Sequence, residues 1–249
     1  MGYGRSLVAV CAVFLAAAGV ARAGAEGSVI GWGVPTTITD DSDVLTNGTL
    51  VGAFNMNGPA VTVNGVPFAS WTYPTLSTTT SMGNFTFAES PGHLLTESGL
   101  GSTSAPFSGL SANYQTLLST AISTDDNNTL TLTITGLTVG QRYAFQFWLN
   151  ASNTGNPAFN TTATAGSAVT LDPNRSNAPG GVGQTVIGTF FAGDTSEIIS
   201  FTGTDSTQAP AVNAFQLRAI PEPSSLALIA LGSAGLLGRA RRRCRENRA

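Results

Sequence analysis

Few residues in this sequence have the type and spacing that catalysis requires. The single histidine, His93, ends the turn-like segment Glu89-Ser90-Pro91-Gly92-His93, where a solvated side chain is far more common than a catalytic base. Cys11 and Cys244 lie in the terminal segments, so residues 24–219 contain no thiol nucleophile and no disulfide. Neither a glycine-rich phosphate loop nor a histidine-rich metal spacing occurs. We therefore expect no enzyme and no cofactor, although a glycosidase pair of carboxylates stays open because only the fold sets its separation.

An acidic cluster comes early in the chain. Asp40, Asp41 and Asp43, together with Asn47, offer the oxygen ligands that calcium prefers. The spacing lacks the glycine at position six and the glutamate at position twelve of an EF-hand loop. We therefore expect a solvated acidic loop rather than a metal site, and we expect Asp-to-Asn changes there to have little effect on thermal stability.

The polar side of residues 142–150 is the best candidate ligand surface. Trp148 could stack on a sugar ring while Arg142, Gln146 and Asn150 form hydrogen bonds with its hydroxyl groups. Trp71 and Tyr73 are possible second platforms. The alternative, which we favour, is that Trp148 packs beneath a helix or in a second layer, because large aromatic side chains are usually buried.

Alternating apolar and polar residues predict a mainly β domain that positions these side chains. Strands are expected at the following residues: 28–34, 49–54, 84–88, 129–135, 142–150, 185–191, 197–202 and 211–218. Asn64-Gly65 predicts a hairpin within residues 61–68, whereas the polar stretches 36–48 and 71–84 predict connections. Turns recur every ~8–12 residues, which is typical of an antiparallel sandwich or barrel.

One segment breaks this alternation and predicts a short helix. Tyr114, Leu117, Leu118, Ala121 and Ile122 recur at helical spacing within residues 113–122. Ser111 can cap this helix by accepting from its first free amides. We expect the helix to pack over a sheet edge, and the alternative is a strand with accidental spacing.

The spacing of residue types from Ile134 to Trp148 resembles that in the meander of jelly-roll modules of the galactose-binding-like type. The resemblance covers about residues 130–217 and implies a jelly-roll-like sandwich. Fibronectin-like sandwiches share the same spacing.

The N-terminus predicts export. Arg5 precedes the apolar residues 7–20, and Ala21-Arg22-Ala23 follows as a small-x-small cleavage site. We expect a helical secretory signal peptide at residues 1–23, served by the Sec translocon and signal peptidase. The alternative, a first transmembrane helix, fits less well because the apolar run is short and ends in that cleavage pattern.

The C-terminus, residues 220–249, has three consecutive zones. Pro221-Glu222-Pro223 is stiff and extended. Residues 224–238 are apolar and form a short transmembrane helix candidate, below the ~20 residues of a comfortable span. The chain then turns basic, and such a cluster stays in the cytoplasm under the positive-inside rule. The stop consists of Arg239, Arg241, Arg242, Arg243 and Arg245.

These three zones, in this order, closely resemble the PEP-CTERM sorting signal of bacterial exported proteins. The resemblance implies an exosortase, a membrane protease-transpeptidase that acts near the tripeptide, and delivery to the cell surface or extracellular matrix. The alternative is a plain tail anchor with the same topology and no cleavage.

Charge limits the partners of the middle domain, residues 24–219. It contains 12 acidic residues and three arginines, so its formal charge is 3 − 12 = −9. Nucleic acid and anionic lipid are therefore excluded as partners of this domain. Two functions remain, a non-catalytic surface or matrix protein and a carbohydrate-binding module that holds polysaccharide; an anchored hydrolase comes third.

Overall fold

The computed structural model describes residues 28–155 and 158–221. Within them lie one α-helix, α1 (Ala112–Leu118), and 3₁₀ turns at Asp41–Asp43 and Phe107–Gly109. The first strands are β1 (Gly31–Trp32), β2 (Thr36–Thr37), β3 (Thr49–Met56), β4 (Val61–Val63), β5 (Val66–Trp71), β6 (Thr79–Met82), β7 (Phe85–Ser90), β8 (Leu95–Ser98) and β9 (Thr120–Ser123). The remaining strands are β10 (Thr129–Thr135), β11 (Arg142–Leu149), β12 (Thr161–Ala165), β13 (Ser167–Leu171), β14 (Gln184–Phe191), β15 (Ser196–Gly203), β16 (Ala211–Val212) and β17 (Ala214–Ile220).

Two large sheets face each other as a β-sandwich. The eight-stranded sheet has the order β1-β14-β11-β17-β3-β5-β4, with β2 also paired to β14. The six-stranded sheet has the order β13-β12-β15-β10-β7-β6, and a small third sheet has the order β16-β9-β8. The prediction of a mainly β fold is confirmed. The expectation of purely antiparallel pairing is wrong at one place, because β3 and β5 run parallel after β4 has turned at the sheet edge.

The core between the sheets is centred on Phe215 of β17. Its ring lies 5.3 to 6.1 Å, centroid to centroid, from five other aromatic rings. These rings belong to Phe54, Trp71, Phe85, Phe87 and Phe145. Edge, tilted and stacked contacts of this kind add to the free energy gained by burying the rings.

A second apolar cluster lies on the outer face of the eight-stranded sheet, beneath α1. It joins Tyr114, Leu117 and Leu118 of the helix to Phe68 and Trp148 of the sheet. At the position of α1 the structure therefore has three layers: the six-stranded sheet, the eight-stranded sheet and the helix. Strand β11 is buried on both faces as a result.

The predicted helix exists but is shorter than expected. Ser111 caps it, because its Oγ accepts from the Tyr114 amide at 3.2 Å. The extension to residue 122 is wrong: Ala121 and Ile122 belong to β9, which pairs with β8 and β16. Backbone pairing with distant segments overrides the local helical spacing there.

The hairpin at Asn64-Gly65 is confirmed. Both residues have positive φ angles, 49° and 75°, and they join β4 to β5. Positive φ at both central positions defines the tight turn that matches the twist of the flanking strands.

The strongest strand predictions are confirmed and several polar strands were missed. The alternating segments 129–135, 142–150, 185–191 and 197–202 correspond to β10, β11, β14 and β15. The expected connection at 71–84 is wrong, because it contains β6, and Asn213 splits the expected strand 211–218 into β16 and β17. The missed strands are rich in Thr and Ser and carry little alternation: β6, β8, β12 and β13.

The signal peptide, the apolar segment 224–238, residues Glu222 and Pro223, and the terminal arginines lie outside the described residues. Within residues 28–155 and 158–221, no helix is long and apolar enough to cross a membrane.

Replacing Phe215 with alanine should destabilise the protein by about 3–5 kcal/mol, because it removes a fully buried ring and leaves a cavity. Urea unfolding of the purified protein measures the change. Phe191→Ala is the matched control, since the Phe191 side chain is 49% exposed and its loss should stay within about 0.5 kcal/mol. Equal losses in both variants would contradict the placement of Phe215 at the centre of the core.

Candidate functional site

The polar face predicted to bind a ligand binds a segment of the protein itself. Gln146 of β11 donates from Nε2 to the Asp43 carbonyl at 2.6 Å and accepts at Oε1 from the Leu45 amide at 2.9 Å. Gln216 of β17 donates from Nε2 to the Leu45 carbonyl at 3.0 Å and to Gln146 Oε1 at 2.7 Å. The two side chains are fully buried, and the segment 43–48 occupies their hydrogen-bonding groups.

Arg218 completes this contact. Its guanidinium donates to three successive carbonyls, Thr46 at 2.7 Å, Asn47 at 2.8 Å and Gly48 at 2.8 Å. Burial lowers the pKa of Arg218 below its ordinary value, and among the described residues no carboxylate pairs with it. Backbone carbonyls therefore replace an acidic partner for this buried cation. We call Gln146, Gln216 and Arg218 the loop clamp.

Trp148 packs beneath the helix, as the favoured alternative predicted. Its side chain is fully buried against Phe68, and its Nε1 donates to the Tyr114 hydroxyl at 2.8 Å. Asn150 is also buried, and its Nδ2 donates to the Leu118 carbonyl at the end of α1 at 3.2 Å. The prediction of an exposed sugar platform is therefore wrong for Gln146, Trp148 and Asn150, because the loop and the helix cover them.

The other proposed platforms are buried in the same way. Trp71 is fully buried and donates to Thr80 Oγ1 at 3.0 Å, and Tyr73 donates to the Leu95 carbonyl at 2.8 Å. Burial raises the pKa of the Tyr73 hydroxyl, and a nearby Glu97 charge adds to this. Of the predicted ligand-binding set, Arg142 alone stays partly exposed.

Arg218 and Gln216, two members of the loop clamp, were not predicted as functional residues. One signal was present: Arg218 is one of three arginines in residues 24–219, and it alternates with apolar neighbours on a predicted strand. A cation at such a position must either face solvent or find a partner elsewhere in the chain.

The acidic cluster lies in an exposed loop, where it also caps a 3₁₀ turn. Asp43 accepts from the Thr39 amide at 2.6 Å and the Asp40 amide at 3.1 Å, while Asp40 accepts from the Ser42 amide at 2.8 Å. Asp41 accepts from Ser111 Oγ at 2.6 Å, which ties the cluster to the helix cap. Hydrogen bonds from the Ser42 side chain and from the Ser42 amide lower the pKa of Asp40. Because the carboxylates make these contacts, a neutral effect of Asp-to-Asn changes no longer follows.

The three carboxylates turn toward separate partners instead of one point. Within residues 28–155 and 158–221, no group of three or more His, Cys, Asp or Glu side chains could hold a metal ion.

Two buried glutamates carry raised pKa values. Burial raises the pKa of Glu89, partly offset by a hydrogen bond from Asn128 Nδ2 at 2.7 Å, and burial likewise raises that of Glu197. One carboxyl oxygen of each, Oε2, has no hydrogen-bond partner within the described residues. They flank β10 opposite Leu130 and Ile134, four residues apart, so their Cα atoms are separated by more than about 13 Å. The carboxyl groups of a glycosidase pair lie about 5–9.5 Å apart, and this offset placement does not favour such a pair. His93 is exposed.

Surface clefts also lie among the described residues. One, of about 500 Å³, is lined by uncharged groups that include Ser102, Thr103, Gln115 and Asn153, and by Phe107. The other, of about 240 Å³, lies beside the loop clamp between Val34 and Thr185.

The chain leaves the sandwich from the middle of the eight-stranded sheet. Ile220 is the last residue of β17 and pairs with Arg142 of β11. Gln141 Nε2 donates to the Ile220 carbonyl at 2.7 Å, and Pro221 follows, exposed. Strand β17 therefore ends immediately before the predicted sorting tripeptide.

Comparison with known proteins identifies the segment that begins at the end of β17. Residues 219–243 match the family model of the PEP-CTERM protein-sorting motif. The chain is thus a β-sandwich protein that carries a C-terminal sorting signal. A motif of this kind implies an exported protein that an exosortase sorts through its C-terminus.

The chain shows remote similarity to several solved structures. The chain resembles the plant receptor-like kinase FER at 15% identity and TM-score 0.42, over 69% of this chain and 42% of that one. It resembles a structure of the plant peptide RALF23 with FER and LLG2 at 16% and 0.40, over 70% and 41%. Carbohydrate-binding modules of the β-sandwich superfamily give 9% and 0.18, over 62% and 71%. No curated protein sequence matches the chain.

Replacing Arg218 with alanine should cost about 2–4 kcal/mol, because three carbonyls lose a charged donor and their loop loses its hold. Urea unfolding gives the energy, and hydrogen exchange at Leu45 should accelerate. Arg175→Ala is the control: its side chain is 53% exposed and makes a surface ion pair with Asp172, worth less than about 1 kcal/mol. Unchanged exchange at Leu45 in Arg218→Ala would contradict the clamp.

The raised pKa values predict a pH dependence. Burial raises the pKa of Glu197 in the folded protein above the pKa of about 4.5 that it has in the unfolded chain. This contribution to stability is therefore fully present below pH 4.5 and is lost as the pH rises through the folded pKa. Glu197→Gln should flatten the fall in unfolding free energy between acidic and neutral pH, measured by urea unfolding at both. Asp126→Asn, at an exposed site, should leave the slope unchanged; an unaltered slope in Glu197→Gln would count against the buried carboxyl.

Proposed function

We propose that this protein is a non-catalytic surface or extracellular-matrix protein, exported as a precursor and cleaved by an exosortase-like membrane protease near Pro221-Glu222-Pro223. The observation that carries the proposal is the sorting motif at residues 219–243, which starts where the sandwich ends. In this proposal the folded domain is the part that is delivered, and the C-terminal tail is its sorting signal.

The tail supplies the physical steps of this route. Residues 1–23 would take the chain through the Sec translocon and be removed by signal peptidase. Residues 224–238 would then hold the precursor in the membrane as a short helix, and the terminal arginines would stop it from sliding through. Moving one arginine to the bilayer centre costs about 2.5–3.5 kcal/mol.

The proposal of a non-catalytic body is supported by the use of its polar groups. The loop clamp, the acidic cap and Asn150 all bind other parts of the chain, and the two buried glutamates lie on opposite sides of β10, offset by four residues. We further propose a jelly-roll-like topology, since the chain crosses repeatedly between the two large sheets from β10 to β17, with β12 and β13 together in the six-stranded sheet and β16 in the small third sheet.

A carbohydrate-binding module is the second candidate, and the cleft of about 500 Å³ favours it. Its walls offer hydroxyl and amide groups without formal charge, which suits a neutral sugar. A glycan array tests this function: binding by the wild type that is lost in Asn153→Ala would support it, and an array without signal would exclude it.

The main proposal predicts that replacing Pro221-Glu222-Pro223 with three alanines leaves membrane insertion intact and blocks release. Mass spectrometry of the mature C-terminus in a host that carries an exosortase measures the outcome. Changing Ser224-Ser225 to alanines is the matched control and should be processed normally. Replacing the arginine cluster with serines should instead disturb orientation and retention. A wild-type chain that still ends at Ala249 would contradict the proposed sorting function and would indicate a plain tail anchor.

A further inference from the structure

The sorting motif overlaps the folded domain. It begins at residue 219, and Ala219 and Ile220 are the last two residues of β17. Both are paired with β11, Ala219 opposite Tyr143 and Ile220 opposite Arg142, and Ala219 also pairs with Thr49 of β3. The two residues are thus held in the sheet while the motif continues beyond it.

The overlap leaves no spacer between the domain and the tripeptide. An extended chain advances about 3.3 Å per residue, so Pro223 can lie no more than about 10 Å from Ile220. An enzyme that grips Pro221-Glu222-Pro223 must therefore touch the end of the sandwich from which the chain leaves. The alternative is that the enzyme first peels Ala219 and Ile220 out of a central strand, which would break ladder hydrogen bonds on both sides.

The surface beside the exit has the composition of a contact site. Phe191, Arg142 and Ile220 lie in a row across β14, β11 and β17, so Phe191 is about 10 Å from the exit. The Phe191 side chain is 49% exposed, and Val139, in the turn that leads into β11, is 55% exposed. That turn is held to the β14–β15 connection, because the Gly140 amide donates to the Ala192 carbonyl at 2.8 Å. We call Val139, Arg142 and Phe191 the exit patch.

Charge also distinguishes this surface from the rest of the domain. The domain carries a formal charge of −9 from 12 acidic residues and three arginines, yet the exit patch combines two apolar side chains with one of those arginines. Within the described residues Arg142 makes no ion pair. Aromatic and arginine side chains are enriched among the residues that contribute most at protein interfaces, and Val139 extends the apolar area beside them.

We propose that the exit patch is the docking surface for the membrane protease that processes this tail. The inference rests on the proposed sorting function and adds a second recognition element to it, on the folded domain. The occupant is the protease because the partner that holds the tripeptide must also meet the patch. The two contacts together raise the effective concentration of the scissile segment at the enzyme.

Processing of the full-length precursor tests this in a host that carries an exosortase. The double variant Val139→Ser/Phe191→Ser should be processed about tenfold more slowly than the wild type, as expected for losing about 1.4 kcal/mol of binding. Leu76→Ser is the matched control: this side chain is 62% exposed but lies beyond β6 near Leu94, at the opposite end of the sandwich, and should change nothing. Limited proteolysis of the accumulated precursors checks that both variants are folded.

The outcomes separate the inference from the function on which it rests. If the wild type is never cleaved, the sorting function itself fails. If the wild type is cleaved and the double variant is cleaved equally fast, sorting stands and the docking surface is overturned.

A flexible Gly-Ser insertion between Ile220 and Pro221 adds a second measurement. It should slow wild-type processing by separating the two contacts, whereas faster processing would indicate that the domain end merely obstructs the enzyme. Slower cleavage of the double variant together with weaker binding to lipid vesicles would assign the patch to the bilayer and also overturn the proposal.

Discussion

The structure depends on satisfying polar groups on a sheet that is buried on both faces. Strand β11 presents phenylalanines to the core between the sheets, and Gln146 to the other side, where water is also excluded. A buried amide without partners would cost free energy comparable to a lost hydrogen bond. The segment 43–48 provides those partners with its own backbone, whose groups would otherwise need water. Each side of the contact therefore removes the other's unsatisfied groups, and the loop becomes part of the fold.

This arrangement explains how a domain with few charges and no disulfide holds long connections in place. The clamp anchors one connection, the Asp41–Ser111 contact ties that connection to the helix, and Trp148 ties the helix to the sheet through Tyr114. Neutral amides, hydroxyls and carbonyls form most of the hydrogen bonds that hold these connections, in keeping with a composition of only 10% charged residues. A network of this kind is little affected by salt, because screening acts on exposed charges.

The sequence predicted what depends on neighbours along the chain. Alternation in 129–135 and 142–150 is a local property, as are the turn at Asn64-Gly65 and the cap at Ser111, and all of them are present. What covers the polar side of β11 is not local, since Leu45 lies 101 residues from Gln146. The same alternation suits an exposed ligand surface and a surface sealed by a loop. The helical spacing through Ala121 and Ile122 failed for a related reason, because pairing with β8 and β16 decided the local structure there. The sorting signal was predictable because its tripeptide, apolar run and arginines follow one another directly.

The central position of β17 has a mechanical consequence. The strand that carries the tail is bonded to β11 on one side and to β3 on the other, over most of its length. Tension applied through the C-terminus acts along the strand, whereas the ladder hydrogen bonds lie across it. The bonds of both ladders therefore share the load and must fail together, instead of opening one pair at a time as at a sheet edge. A domain joined to a cell surface at this point would resist drag from flowing medium without a disulfide or a long tether.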